Sequence, residues 1–176
     1  MLVPILIMLL VLGALAGYVI SNDDANRAAA ARQVTVAFEA HLGNFTSENL
    51  TSTVYQYENN ATLTVEGDDE KLGGVYDEAA SITTFYQYVY SDNVFGTIAL
   101  KNSTYSVDAL NGQKVNVKSE FTLQGVSDMY SIDKGETPTN GTYAATVSLE
   151  TSYVRSGTEW FISSETWDFL SFDLAA

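Results

Sequence analysis

The chain contains no cysteine. Disulfides, thiolate nucleophiles, Cys-ligated zinc and iron–sulfur clusters are all excluded at once. The absence does not assign a compartment, because a domain of this size can bury a sufficient core without staples. Histidine is nearly absent too: His41 is the single copy, so no multi-histidine metal site can form. Basic residues are scarce. Eight Lys and Arg face 22 Asp and Glu, a formal charge of -14. Such a surface repels phosphate backbones and anionic headgroups, which argues against nucleic-acid partners and against docking on acidic lipid. The excess acid reads first as a solubility coat.

What is present begins with a run free of charge. Leu2 to Ile20 spans 19 apolar or small residues and ends abruptly at Ser21-Asn22-Asp23-Asp24. As a helix the run measures about 28 Å, close to one bilayer core. Three readings compete. A secretory signal peptide has basic residues first and a small-x-small cleavage site after a shorter run; no Lys or Arg precedes this run, and Ala14-Leu15-Ala16 is a poor basis for cleavage because apolar residues continue past it. A signal anchor also carries basic residues on its cytoplasmic flank. The third reading is a filament subunit whose basic leader has been removed. Gly13 and Gly17 form a GxxxG spacing that lets helices approach closely.

Met1-Leu2-Val3-Pro4-Ile5 and the apolar run behind it resemble the start of mature archaeal type IV pilins, which open on an apolar helix with Pro near position 4. The glutamate found near the start of bacterial type IV pilins has no counterpart, since Ile5 stands there. The resemblance implies a helix that sits in the membrane before assembly and in a filament core afterwards. Pro4, Gly13 and Gly17 would be its packing residues.

Residues 1–24 are therefore expected to be a membrane or filament-core helix, and 25–176 one extracellular α+β domain. Ala25 to Leu42 has a helical pattern with Val34, Phe38 and Leu42 aligned, and Gly43 as the stop. A break is expected near Ser21-Asn22. Thr46 or Ser47 is a candidate cap for a short second helix. Ala61 to Val65 alternates as a strand, and Asp77 to Tyr90 reads as a third helix burying Ile82, Phe85, Tyr86 and Val89. From Gly96 the period drops to two, giving strands at Thr97–Val107, Lys114–Gln124, Thr142–Arg155 and Glu159–Phe169. Asn111-Gly112 and Ser156-Gly157 mark hairpin turns.

This order of elements is similar to the nuclear transport factor 2-like (SnoaL-like) fold. Phe38-Glu39-Ala40-His41-Leu42 through Ala61–Val65 resembles its opening, and Gly73–Ala79 into Phe85-Tyr86 its approach to the third helix. Thr158–Ile162 and Thr166–Phe169 resemble its last strand. The likeness implies helices packed on a curved antiparallel sheet around a cone-shaped interior. Relatives include isomerases, cyclases, dehydratases and proteins that only bind partners, so the fold leaves function open.

No catalytic centre is recognisable. His41 is expected on a helix surface or in packing. Tyr55, Tyr57, Tyr76, Tyr86, Tyr88 and Tyr90 read as packing and contact residues, although Tyr–carboxylate pairs hold an enolate in some relatives. Asp68-Asp69-Glu70 and the loop from Asp128 to Glu136 lack the spacing of an EF-hand and read as solvated loop charge. Phe121, Trp160 and Trp167 are expected to fill the interior. Five acceptor sequons, at Asn44, Asn49, Asn60, Asn102 and Asn140, point to N-linked glycans.

The sequence thus leads to a structural subunit of a glycosylated extracellular filament at an archaeal cell surface, assembling with copies of itself. It is not expected to be an enzyme, nor to need a cofactor or a metal. The alternative is a monomeric membrane-anchored domain that binds a ligand or a partner protein.

Overall fold

The computed structural model describes the backbone of residues 2–66, 73–90, 99–127 and 141–175. Side chains are described from Asp23 onward, apart from 102–103, 125–127, 141–143 and 172–175. The elements are α1 (Leu2–Thr46), α2 (Leu50–Tyr55), β1 (Tyr57–Glu66), β2 (Gly74–Asp77), α3 (Glu78–Val89), β3 (Ala99–Ala109), β4 (Lys114–Ser127), β5 (Gly141–Ser156) and β6 (Glu159–Ala175). The six strands form one sheet in the order β2-β1-β6-β5-β4-β3. All pairings are antiparallel except β1 with β6, which is parallel.

The alternation of β4 and β5 shows why one face carries the helices. Val115, Val117, Ser119, Phe121 and Leu123 are buried, as are Ala145, Val147, Leu149, Thr151 and Tyr153, while the residues between them are partly or fully exposed. Strand β6 breaks this rhythm. Ser152 pairs with Ser164 and Tyr153 with Ile162, so Ser163 is an extra residue in the ladder. The bulge lets Ile162 and Glu165, three apart, both face the core. Trp167 follows on the same side.

Helix α1 lies over that face on a narrow stripe. Ala30, Val34, Phe38, His41 and Phe45 recur every three or four residues and are all buried. The expected stripe ended at Leu42, which is only partly buried. The expected stop at Gly43 is also overtaken, since the helix continues to Thr46. The extra turn puts Phe45 against Trp167 at 5.0 Å and Tyr90 at 5.9 Å between ring centroids. That burial outweighs the roughly 1 kcal/mol that a helical glycine costs.

Thr46 and Ser47 do not cap α2. Their hydroxyls bond back to the carbonyls of Leu42, Gly43 and Asn44 at the end of α1. The cap is Asn49, whose side chain accepts from the Ser52 N–H at 3.1 Å.

The third helix and the four long strands lie where the pattern put them, and Ile82, Phe85, Tyr86 and Val89 are its buried residues. Strand β2 was expected as a turn, but pairs with β1 from Thr62↔Asp77 to Val65↔Gly74. Phe121 and Trp167 are core residues, whereas Trp160 is only partly buried and donates its indole N–H to Gln33 at 2.9 Å. Ser156-Gly157 does mark a hairpin, with Gly157 at φ 63, a left-handed conformation that glycine adopts without strain.

The break expected near Ser21-Asn22 does not occur: α1 runs unbroken from Leu2 to Thr46, since neither residue removes a backbone N–H as proline would. Pro4, Gly13 and Gly17, like the whole apolar run, lie outside the residues whose side chains are described. Among the described residues, no helix is long and apolar enough to cross a membrane. The Asp68–Glu70 and Asp128–Glu136 segments also lie outside the described residues, and among those described no group of three acidic or histidine side chains is placed to hold a metal ion.

The stripe is testable. Phe45→Ala should cost about 3–5 kcal/mol and Leu42→Ala clearly less, read from urea denaturation midpoints. A larger loss at Leu42 would place the buried face of α1 where the simple sequence pattern put it.

Candidate active site

Where α1 crosses β6, the buried face carries a carboxylate. Glu165 and His41 are each 1% exposed. His41 Nε2 lies 3.1 Å from Glu165 Oε2. The contact falls short of hydrogen-bond alignment, so it acts as an ion pair. The other ring nitrogen, Nδ1, is 2.8 Å from Oε1 of Gln56, the residue between α2 and β1.

Four groups donate hydrogen bonds to the same carboxylate. Oε1 accepts from Tyr57 Oη at 2.7 Å, Trp167 Nε1 at 2.6 Å and Tyr86 Oη at 3.1 Å. Oε2 accepts from Thr151 Oγ1 at 3.2 Å. The two tyrosine hydroxyls are 2.8 Å apart, so Tyr86 can also donate to Tyr57. Each donor comes from a different part of the fold: β1, α3, β5 and β6, with His41 from α1. The sheet register places Thr151 directly opposite Glu165.

The electrostatics follow from this crowding. Burial opposes ionisation of Glu165, but the His41 charge and the hydrogen bonds from Tyr57 and Trp167 outweigh it, so the carboxyl titrates below its ordinary 4.5. Burial likewise opposes the charge on His41, yet the adjacent carboxylate and the Gln56 contact win and hold its pKa above 6.5. Tyr57 and Tyr86 are pushed well above the ordinary phenol range, by burial first and the Glu165 charge second. Both therefore remain proton donors.

The site is a buried imidazolium–carboxylate pair ringed by neutral donors. It can hold a proton at His41 Nε2 and release it when the pair is disturbed. Perturbed groups gathered in this way mark functional sites more often than plain core. It contains no set of ligands for a metal, and its acceptors are already occupied by hydrogen bonds.

His41, expected at a helix surface or in simple packing, is instead half of this pair. Of the six tyrosines considered, Tyr57 and Tyr86 belong to the cluster. Tyr90 lies beside it, its hydroxyl 2.9 Å from Thr53 Oγ1. Tyr55 is exposed against Phe161, Tyr88 is exposed, and Tyr76 packs at a tilt against Phe85. Glu165 was missed. The signal for it was its parity with Trp167 and Phe169, which placed an acid on the apolar side of a strand.

Helices packed on the inner face of a curved, open sheet with this strand order define a nuclear transport factor 2-like fold. The sequence matches no protein-family model and no curated protein. Solved structures do match. A hexachlorocyclohexane dehydrochlorinase (LinA) of type 2 superposes with a TM-score of 0.69 at 16% identity, covering 87% of this chain and 93% of its own. A provisionally named scytalone dehydratase from Novosphingobium aromaticivorans gives 0.67 at 8%, covering 85% and 90%. A ketosteroid isomerase-like protein from Erwinia carotovora atroseptica gives 0.58 at 14%, covering 80% and 96%. At these identities the likeness shows the fold. It also overturns the expectation that the chain is not an enzyme. That expectation rested on the absence of a recognisable centre. Several of the matched structures carry enzyme names, and the inner face here holds a histidine–carboxylate pair.

The pair fixes a pH dependence of stability. The Glu165 contribution is complete above about pH 4.5 and is lost as pH falls through its depressed folded value. The His41 contribution is complete below about pH 6.5 and is lost as pH rises through its elevated folded value. The denaturation midpoint should therefore be highest between these limits. In Glu165→Gln the imidazole keeps its burial but loses its counter-charge, so its pKa should drop below 6.5 and the slope around pH 6 should reverse, with stability rising as pH rises. Equal slopes in wild type and Glu165→Gln would show that the pair is not coupled as described.

Proposed function

We propose that the domain is an acid–base catalyst acting on a small, mostly apolar molecule by proton transfer at carbon, in an elimination or an isomerisation. The observation that carries this reading is the fully buried His41–Glu165 pair on the inner face of the sheet. A buried ion pair is weak as a stabilising device, since a well-packed apolar substitute is often as good. Its value lies in a titratable proton held in a dry setting, where acid–base assistance contributes about 10²–10⁴-fold. Neutral His41 accepts the proton, and Glu165 stabilises the imidazolium that results. Tyr57, Tyr86, Trp167 and Thr151 hold Glu165 in place. Because the pair is 1% exposed, side chains over it must part for a molecule to reach it.

Base-promoted opening of 5-nitrobenzisoxazole tests the reading without knowledge of the natural substrate. A base removes the ring C–H proton, the N–O bond breaks, and a coloured cyanophenolate forms. The rate should rise with pH through the His41 folded value, above 6.5, since only the neutral ring is a base. His41→Asn should lower it by about 10²-fold, and Glu165→Gln should move the rising limb to lower pH. A His41→Asn variant as fast as wild type would sink the proposal.

We further propose that this domain works outside the cell, with the uncharged run Leu2–Ile20 as its attachment, either within a filament of like subunits or as a single membrane anchor. Support comes from that run, with Pro4, Gly13 and Gly17 in it, and from the sequons. Asn49 and Asn60 are exposed, and Asn44 is partly buried. The side chains of Asn102, in β3, and of Asn140 lie outside those described. Peptide mass spectrometry of the native protein should find glycans at Asn49 and Asn60 ahead of Asn44, and bare asparagines at all five sequons would remove this support.

A further inference from the structure

Two buried side-chain polar atoms among the described residues lack a hydrogen-bond partner, His41 Nε2 and Tyr153 Oη. The first has Glu165 beside it as a counter-charge. The second has no such compensation. Tyr153 is 1% exposed, and burial first and the Glu165 charge second keep its phenol protonated. An unsatisfied hydroxyl in a protein interior is uncommon and destabilising. Among the described residues, nothing satisfies this donor.

Its surroundings limit what can satisfy it. Tyr153 follows Thr151 by two residues on the same face of β5, so it belongs to the same wall as the Glu165 cluster. Its cross-strand neighbours are Val115 on β4 and Ile162 on β6, both buried and apolar. The nearby carboxylate of Glu165 disfavours a second negative charge, and the chain's formal charge of -14 acts in the same direction.

We propose that Tyr153 Oη is the hydrogen-bond donor to a neutral oxygen, a carbonyl, ether or alcohol on an otherwise apolar skeleton, of the molecule taken up at this site. The proposal rests on the inner face being a ligand site, as read above, but not on proton transfer. Water offers the same neutral oxygen when no ligand is bound, and the test separates the two sources. An anionic oxygen would add a second negative charge beside Glu165, so a neutral one is the better fit.

The full-length chain is titrated with acetophenone, with α-methylstyrene, which replaces the carbonyl oxygen by a methylene, and with benzoate. Because His41 is the only histidine, its ring resonances report binding without ambiguity. Acetophenone should bind about tenfold more tightly than α-methylstyrene, and benzoate should not compete. Tyr153→Phe should remove the preference for acetophenone and leave α-methylstyrene binding unchanged. Equal binding of the two neutral probes to wild type, binding of neither, or an unchanged preference in Tyr153→Phe overturns the proposal. So does a Tyr153→Phe variant that loses thermal stability while probe binding is unaltered, since water is then the sole occupant. A chain that discriminates the probes but fails to open 5-nitrobenzisoxazole keeps the binding site and loses only the catalytic reading.

Discussion

The fold is organised around one carboxylate that cannot reach water. Glu165 sits on the core side of β6 and receives donors from β1, α3, β5 and its own strand, with the His41 charge from α1. Each of these elements must be in register for the charge to be tolerated. Removing one partner of a buried pair costs about 3–5 kcal/mol, because an uncompensated charge stays behind. The bulge at Ser163, the extra turn of α1 beyond Gly43 and the parallel pairing of β1 with β6 are best understood together. They bring Glu165, His41 and Tyr57 to the same point.

Much of this was legible in the sequence, and the parts that were not share a cause. Period-two alternation located β3 to β6, and the apolar face of α3 was read correctly down to Ile82, Phe85, Tyr86 and Val89. Gly43 misled because local propensity was allowed to end a helix that tertiary burial of Phe45 prolongs. The same error shifted the inner stripe from His41 and Phe45 to Leu42. With His41 turned outward, nothing drew attention to an acid on the inner parity of β6. Strand β2 escaped because four residues are too few to show alternation, and its exposed residues carry little pattern. Asn49 opens a sequon and also caps α2 through its side-chain oxygen, two uses of one residue that local pattern does not separate.

The acidic composition and the buried pair bear on each other. A chain with a formal charge of -14 gains from every proton it takes up, and mild acid lowers the repulsion across its surface. The His41–Glu165 pair is complete in the same mildly acidic range. Surface and core thus favour one pH region by independent physics. Salt screens the first and leaves the second nearly unchanged, because the pair is out of contact with solvent. Measurements at high ionic strength therefore isolate the core contribution.

Persistence of the cluster does not by itself argue for catalysis. Replacing Glu165 by leucine would leave Tyr57, Trp167 and Thr151 without their acceptor and His41 without its counter-charge, and replacing any one of these leaves the carboxylate short of a donor or a charge. The network is self-locking, so its members cannot be lost one at a time without a penalty, whatever the domain does. Tyr153 stands outside the lock. Its hydroxyl serves no partner among the described residues, and phenylalanine would fill the same space without an orphaned donor. A purely structural account of the inner face explains Glu165 and its ring of donors but gives no reason for that hydroxyl. The distinction between a core that happens to be polar and a site that receives a molecule therefore falls on Tyr153 rather than on the more conspicuous ion pair.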